Sequence, residues 1–149
     1  RSESSSVKEF NSIPYMIDYL TAVLPATHPL AKADNLPFEQ LRGETFLLFP
    51  EHSFINDLCI RECRNAGFEP HIAYTGNRGA TLIDLVRNGA GITLMMHHSA
   101  RQENDSSLAF IPVTPGIYSY ISLNYAKEKP LSPQAESFVR YVKAHKRDF

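Results

Sequence analysis

Residues 45–96 decide the fold, because three apolar segments in this stretch are each followed by a short polar turn. TFLLF (45–49) precedes PEHS (50–53), HIAY (71–74) precedes TGNRG (75–79), and ITLMM (92–96) precedes HHS (97–99). Helical periodicity follows the first two turns and predicts helices at about 53–66 and 80–88. Strand, polar turn, helix and strand in succession are typical of a parallel sheet with crossover helices. We therefore predict an α/β domain in which the three turns meet at the carboxyl edge of the sheet, where such sheets hold their ligands.

Composition excludes several classes of protein. The chain has 149 residues, 43% hydrophobic and 21% charged, as expected of a soluble globular domain. Fifteen basic and sixteen acidic side chains give a net charge of −1. The chain therefore lacks the excess of positive charge that is typical of proteins that bind nucleic acid or an anionic membrane. No apolar run reaches the roughly 20 residues of a transmembrane helix, and no signal-peptide pattern is present. We expect a cytoplasmic protein and, since the chain begins with Arg1, a fragment or processed form.

The two cysteines lie four residues apart on the first predicted helix. Cys59 and Cys63 therefore share one face of it. A disulfide within one helical turn has poor geometry, and two lone thiols form a weak metal site. We interpret the pair as small buried hydrophobic residues in a reducing compartment.

The flanking segments predict further elements. Residues 1–12 are expected to form a flexible N-terminal segment, and residues 19–24 a strand that ends at Pro25. Further strands are predicted at 108–113 and 118–126. The last helix has Ser132 as its N-cap and Pro133 at its first position.

Five of these segments, in this order, resemble the effector-binding domain of LysR-type transcriptional regulators. The matching stretches are VLPATHPLA (23–31), LRGETFLL (41–48), AGFEP (66–70), LVRNGAGITL (85–94) and KPLSP (129–133) with Phe138. The resemblance implies a three-layer Rossmann-like lobe with a mostly parallel sheet, similar to periplasmic binding proteins. Residues 13–149 would then hold the second lobe, two crossover strands and the closing helix. Nothing in the chain resembles the family's winged helix-turn-helix, and the first lobe is largely unmatched.

The first predicted turn carries a candidate anion site. Ser53 and Phe54 stand at the start of a helix, where free N–H groups and the helix dipole favour a carboxylate or another anion. The alternative is that Ser53 serves only as the N-cap of that helix.

The second and third turns supply the other candidate effector-binding residues. The resemblance implies that Thr75 and Asn77 reach the effector. Arg78 is either a counter-charge for an acidic effector or a solvated loop residue, and Thr81 either caps its helix or contacts the ligand. Met96 and His97 follow the third strand, where family members often have proline, so this departure changes the expected floor of the pocket.

No pattern of catalytic residues or metal ligands is found. His52, His97 and His98 fall at the same predicted edge and could bind zinc or nickel. However, two of them are adjacent in sequence and no carboxylate or thiol pattern supports them. Ser53 is not in a Gly-x-Ser-x-Gly elbow. We therefore expect no catalytic residue, no metal and no cofactor.

The combined interpretation is a ligand-sensing domain of a bacterial LysR-type transcription factor. A polar or anionic small molecule would close two lobes and alter how subunits pack. DNA would be bound only through a helix-turn-helix domain absent from this chain. A periplasmic-type solute-binding protein and a small α/β enzyme remain the alternatives.

The last predicted helix carries an apolar stripe, which consists of Ala135, Phe138, Val139 and Val142. Such a stripe has to be covered, so we expect this helix to dock on its own sheet or on a second copy of the chain. We therefore predict a dimer or larger assembly with Phe138 near the contact.

Overall fold

The computed structural model describes residues 10–103, 105–126 and 131–144. Most of the expected flexible segment, residues 1–9, lies outside this range, and the first strand already includes Asn11 and Ser12. The elements in chain order are β1 Phe10–Pro25, β2 Leu36–Pro37, a 3-10 turn Phe38–Leu41, β3 Thr45–Leu48, α1 Phe54–Asn65, β4 His71–Thr75, α2 Gly79–Arg87, β5 Thr93–Met96, α3 His97–Arg101, β6 Leu108–Thr114, β7 Tyr118–Ala126 and α4 Pro133–Ala144.

The chain divides into two compact units. Tyr19–Tyr118 forms what we call the main unit, and Arg1–Asp18 with Ser119–Phe149 forms the terminal unit. The long strand β1 contributes to both. It begins at Phe10 instead of residue 19, so the predicted start of this strand was wrong. Its pairing with β5 and β6 involves only residues from Leu20 onward, and β7 is the further strand that pairs with it.

The sheet of the main unit is mixed. β3 and β4 are parallel, and Phe46 of β3 forms a parallel bridge with Ile92, just before β5. Leu47 N–H donates to Ile92 O and Ile92 N–H donates to Thr45 O, each at 2.8 Å. These bonds join the strands in the order β4-β3-β5-β1-β6-β2, in which β1 runs antiparallel to β5 and β6 while β2 is parallel to β6. The three strands that precede the polar turns are therefore parallel, as predicted.

Two apolar clusters occupy opposite faces of this sheet, because successive strand side chains point to alternate faces. Leu20, Ala22 and Leu24 of β1 pack with Leu58, Cys59 and Cys63 of α1. Val23, Leu47 and Met95 pack with Leu82, Ile83 and Val86 of α2 and with Ala100 of α3. Helices cover both faces, so the predicted three-layer lobe is confirmed.

One histidine ties the loop after β1 to the start of β3. Leu30 N–H donates to Nδ1 of His28 at 3.0 Å, so this nitrogen acts as the acceptor and Nε2 carries the proton. Nε2 then donates to Oε1 of Glu44 at 2.8 Å. The residue that follows Glu44 begins β3. This bond thus helps to fix where β3 begins.

The last helix packs within the terminal unit. Ser132 is its N-cap, since Oγ accepts a hydrogen bond from Ala135 N–H at 3.2 Å. Val139 and Val142 are buried in a cluster with Ile13 of β1, whereas Phe138 is 56% exposed. Phe138 lies about 100° around the helix from Val139, which places it outside the buried face. Of the predicted apolar stripe, Val139 and Val142 are therefore buried within this chain and Phe138 is not.

An ion-pair network holds the loop between α3 and β6. Arg87 of α2 donates from Nε to Oδ2 of Asp105 at 2.6 Å and also pairs with Asp84. Ser107 N–H donates to Oδ1 of Asp105 at 2.8 Å. The hydrogen bonds from Ser107, followed by the one from Arg87, lower the pKa of Asp105 from 3.8 to about 2.

We expect the contribution of Asp105 to stability to depend on pH. Because its folded-state pKa is depressed, the stabilisation is fully present above pH 3.8 and is lost as the pH falls toward about 2. Asp105→Asn should therefore be less stable than the parent chain at pH 7, and the difference should shrink below pH 3.8. Urea denaturation across this pH range measures it, with Asp34→Asn, an exposed carboxylate before β2, as the control. A difference that stays constant down to pH 2 would contradict the assignment.

Candidate functional site

The carboxyl ends of β3, β4 and β5 share one edge of the main unit. β3 is parallel to β4 and forms a parallel bridge to the residue before β5, so all three strands end on the same side. The residues that follow them are Phe49–Ser53, Gly76–Arg78 and His97 onward. The predicted convergence of three segments at one edge is therefore observed in the backbone.

The first turn presents the start of α1. Ser53 is the N-cap of this helix, with extended φ and ψ, and its Oγ accepts from Asn56 N–H at 3.4 Å. His52 adopts a left-handed backbone with φ of 67°, which turns the chain into the helix. The side chain of Phe54 is 65% exposed at the first helical position. An aromatic ring and a helix N-terminus therefore lie together at the edge.

Asn56 holds this turn in place, a role that sequence analysis missed. The residue is 1% exposed, and its Nδ2 donates to the carbonyl oxygen of Phe49 at 2.9 Å. The bond spans the loop between β3 and α1, because Asn56 is the third residue of α1 and Phe49 directly follows β3. The only signal in the sequence was a polar residue three positions after Ser53, which fits equally well on an exposed helix surface.

Removing this bond should loosen the turn. We expect Asn56→Ala to lower the free energy of unfolding by about 1–3 kcal/mol, because the carbonyl of Phe49 loses a buried partner. Amide resonances of residues 51–53 should shift or broaden more than those of the β4–α2 turn. Asn65→Ala, an exposed asparagine at the end of the same helix, is the matched control for chemical denaturation and NMR. Equal effects of the two substitutions would refute the proposed role.

The second turn is exposed and lies against the first strand. Gly76 N–H donates to Leu48 O at 3.0 Å, which ties the turn to the end of β3. Thr75, Asn77 and Arg78 are all exposed, as expected of side chains available to a ligand. Arg78 is the N-cap residue of α2, yet its side chain makes no capping hydrogen bond. Thr81 is the third residue of that helix and is half-buried.

The third predicted turn is wrong, because a short helix begins directly at His97. α3 spans His97–Arg101 with Met96 as its N-cap residue. The segment contains no glycine, proline or asparagine that would favour a turn over a helix. The ring of His97 stacks on Tyr19 of β1, with ring centroids 4.4 Å apart and an interplanar angle of 14°. Tyr19 was not predicted as part of the site, since only the register of β1 and β5 brings it opposite His97.

A pocket of about 280 Å³ lies beside this edge. Phe49, Ile83 and Met95 provide its apolar walls, Gly79 and Ala80 belong to the first turn of α2, and Ser99, Gln102 and Glu103 provide polar groups. The eight predicted site residues, all within the described part of the chain, do not line it themselves. Three of them stand next to residues that do, because Arg78 precedes Gly79, Thr81 follows Ala80 and Met96 follows Met95.

Neither the histidines nor the cysteines form a reactive centre among residues 10–103, 105–126 and 131–144. No group of three His, Cys, Asp or Glu side chains in these ranges is arranged to hold a metal ion. Cys59 and Cys63 are buried free thiols with their sulfur atoms 4.0 Å apart, which confirms their interpretation as core residues. The contact with Cys63, together with burial, raises the pKa of the Cys59 thiol. Such a thiol is a poor nucleophile at neutral pH.

Together, the three-layer lobe and the shared carboxyl edge of its parallel strands define a domain of the periplasmic-binding-protein-like class. None of the helices in the described ranges is long and apolar enough to cross a membrane. The family model described as the LysR substrate binding domain matches residues 1–147. The chain belongs to this family, whose members are transcriptional regulators.

Individual relatives agree with this assignment. The transcriptional dual regulator GltC of Bacillus subtilis is 30% identical over 122 residues, which cover 81% of this chain and 41% of GltC. The uncharacterized HTH-type regulator YwbI of the same species is 26% identical, with 91% of this chain and 46% of YwbI covered. The chain thus spans a little under half the length of these curated relatives.

Solved structures show the same fold. The regulatory domain of Synechocystis CcmR, in complex with 2-PG, superposes with a TM-score of 0.75 at 19% identity, covering 100% of this chain and 73% of that domain. The effector-binding domain of QuiR, in complex with shikimate, gives a TM-score of 0.66 at 21% identity, covering 99% of this chain and 71% of that domain. At these identities the likeness establishes the fold alone.

Proposed function

We propose that this chain senses a small polar or anionic metabolite for a bacterial LysR-type transcription factor and binds it without transforming it. The observation that carries the proposal is the shared edge, where the N-terminus of α1 and the exposed turn before α2 follow two adjacent parallel strands. In α/β sheets this is the position at which ligands bind. The complexes of CcmR with 2-PG and of QuiR with shikimate support binding of small molecules by domains of this fold.

The edge suits an anion better than a cation. The first turn of α1 offers N–H groups and the positive end of the helix dipole beside the Ser53 hydroxyl. The exposed guanidinium of Arg78 adds a positive charge at the neighbouring turn, and its side chain is not used to cap α2. Thr75 and Asn77 provide a hydroxyl and an amide for orientation. The proposed effector-binding residues are Ser53, Phe54, Thr75, Asn77, Arg78, Thr81, Met96 and His97.

Signal transmission would follow from a change in population between two arrangements. An effector that binds the closed arrangement of two lobes more tightly shifts the protein toward it. We propose that closure is relayed through subunit packing to a separate helix-turn-helix domain of the intact regulator, which alone binds DNA. In this account the protein works in the cytoplasm as a dimer or tetramer and uses no cofactor or membrane partner.

Self-association can be tested on the exposed part of α4. Phe138 is 56% exposed and Tyr141 is 58% exposed, whereas Val139 and Val142 are buried. If Phe138 lies in a contact between subunits, Phe138→Asp should lower the mass measured by analytical ultracentrifugation without changing the far-UV circular dichroism spectrum. Ser137→Asp, an exposed neighbour on the same helix, is the control. An unchanged mass for Phe138→Asp would place the contact elsewhere.

A thermal-shift screen with product analysis tests the function itself. The chain should gain melting temperature with at least one small organic or phosphorylated acid, and the compound should be recovered unchanged after prolonged incubation. Conversion of the compound would favour a small α/β enzyme instead. Tight binding by an intact protein that carries no DNA-binding domain would favour a solute-binding protein. The absence of any stabilising acid would refute the anionic-effector proposal.

A further inference from the structure

The pocket between α2 and α3 is lined by residues that lie close in sequence to all three segments of the edge. Phe49 directly follows β3, Gly79 and Ala80 directly follow Arg78 of the second turn, and Met95 lies in β5 two residues before His97. The pocket has a volume of about 280 Å³, and none of its lining residues was predicted to contact a ligand. The pocket therefore lies on the α2 face of the sheet, and several of its lining residues are close sequence neighbours of the candidate site.

The inner part of the pocket is apolar. Ile83 is 0% exposed and Met95 is 2% exposed, and both belong to the apolar cluster beneath α2, against which Phe49 packs. The apolar side chains that a ligand carbon can reach are half-buried Phe49 and exposed Ala80, and each ligand methylene that leaves water there strengthens binding. The volume lies just below the range of roughly 300–1,000 Å³ typical of complete ligand pockets, which suits part of a small molecule.

The outer part of the pocket is polar and carries a carboxylate. Ser99 and Gln102 are exposed, whereas Glu103 is half-buried, and its backbone N–H donates to Ala100 O at 3.1 Å. An ionised carboxylate only accepts hydrogen bonds, so it favours a ligand group that donates them. A second carboxylate at this end of the pocket would be repelled.

From these features we infer that the effector is amphiphilic. Its anionic group lies at the edge turns, its short apolar skeleton lies against Phe49 and Ala80 above the buried Ile83 and Met95, and a hydrogen-bond donor on that skeleton faces Glu103. The inference rests on the proposed function, because it assigns the anionic end to that site. It narrows the effector to the class of small carboxylates with an apolar carbon chain and a distal amine or hydroxyl.

A series of carboxylates tests the apolar part of this inference. Acetate, butyrate and hexanoate are titrated into the full chain, while the methyl groups of Ile83 and Met95 and the amides of Ser53, Thr75 and Asn77 are followed by NMR. Affinity should rise by about fourfold for each methylene that the pocket accepts. Ala80→Phe, which places a ring at the pocket, should abolish the gain of hexanoate over acetate. Ala90→Phe, an exposed position after the other end of α2, should leave that gain unchanged.

A second comparison tests the role of Glu103. The probe ε-aminohexanoate should bind several-fold more tightly than hexanoate, and Glu103→Gln should remove the difference. Glu136→Gln, an exposed residue of α4, is the charge-matched control and should leave the difference intact. Equal affinities of the two probes for the parent chain would overturn the assignment of a donor-bearing effector.

The readouts separate failure of this inference from failure of the proposed function. Shifts at the edge amides without a response from the Ile83 and Met95 methyls would overturn the inference and leave the function standing. Methyl shifts without edge shifts would also overturn it, because the pocket would then bind independently of the edge. The inference would also be overturned if affinity did not depend on the number of methylenes in the carboxylate. The same holds if Ala80→Phe lowered the affinities for acetate and hexanoate equally. No response at either place to any carboxylate would contradict both proposals.

Discussion

Phe46→Ala is expected to lower the free energy of unfolding by about 3–5 kcal/mol, the range for removing a large buried aromatic side chain. Phe46 is 0% exposed and lies in the middle of β3, where it pairs with Ile72 of β4 and bridges to Ile92. Its side chain belongs to the apolar cluster beneath α1. The backbone bonds are unaffected by the substitution, so the loss comes from the cavity and from the apolar area no longer buried.

Urea denaturation of the parent chain and the variant measures this loss. Phe54→Ala is the matched control, because Phe54 is 65% exposed and its removal should change stability by less than about 0.5 kcal/mol. A loss below about 1 kcal/mol for Phe46→Ala, or equal losses for the two variants, would contradict the described core.

Gly91→Ala is expected to destabilise the junction of β3 and β5 and to weaken effector binding with it. A Cβ atom at this position would lie 2.4 Å from the carbonyl oxygen of Thr45 and 3.2 Å from Cγ of Leu47. The backbone cannot easily move away, because Ile92 N–H donates to that same Thr45 oxygen at 2.8 Å. Overpacking of this kind costs about 1–3 kcal/mol, and contact with a fixed backbone atom favours the upper part of this range.

Gly79→Ala separates this steric effect from the general effect of replacing glycine. A Cβ atom at Gly79 would meet Cζ of Phe49 at 3.7 Å, an ordinary contact, and the position lies in a helix, where alanine is favoured. Thermal and urea denaturation should therefore show a loss for Gly91→Ala and little change or a gain for Gly79→Ala. Equal stability of the two variants would show that β3 and β5 do not approach as closely as described.

Local sequence rules were sufficient for most of the elements that form the edge. The Ser53 N-cap, the apolar stripe ending at Cys63 and the glycine at 67 together delimit α1, because capping and periodicity act over neighbouring residues. The parallel arrangement of β3, β4 and β5 follows from the lengths and helical patterns of the connections. The convergence of the three strand ends at one edge could therefore be predicted before any tertiary contact was known.

Features that depend on strand register or side-chain direction could not be predicted in this way. Tyr19 stacks on His97 only because β1 and β5 pair with Leu20 opposite Met96. Asn56 turns inward to reach the Phe49 carbonyl, a direction that helical periodicity alone does not give. The start of α3 at His97 was missed because two histidines and a serine are compatible with either a turn or a helix. The assignment of the individual effector-binding side chains stays a prediction.

Amide chemical-shift mapping with a panel of small organic and phosphorylated acids, beginning with 2-PG and shikimate, tests the central claim most directly. The account predicts saturable shifts that appear first at Ser53, Thr75 and Asn77, at the carboxyl ends of β3 and β4. Met96 and His97 should follow, since they lie at the end of the adjacent strand. Shifts that cluster instead around Glu136 or Lys143 on α4 would place the ligand away from this edge and contradict the account.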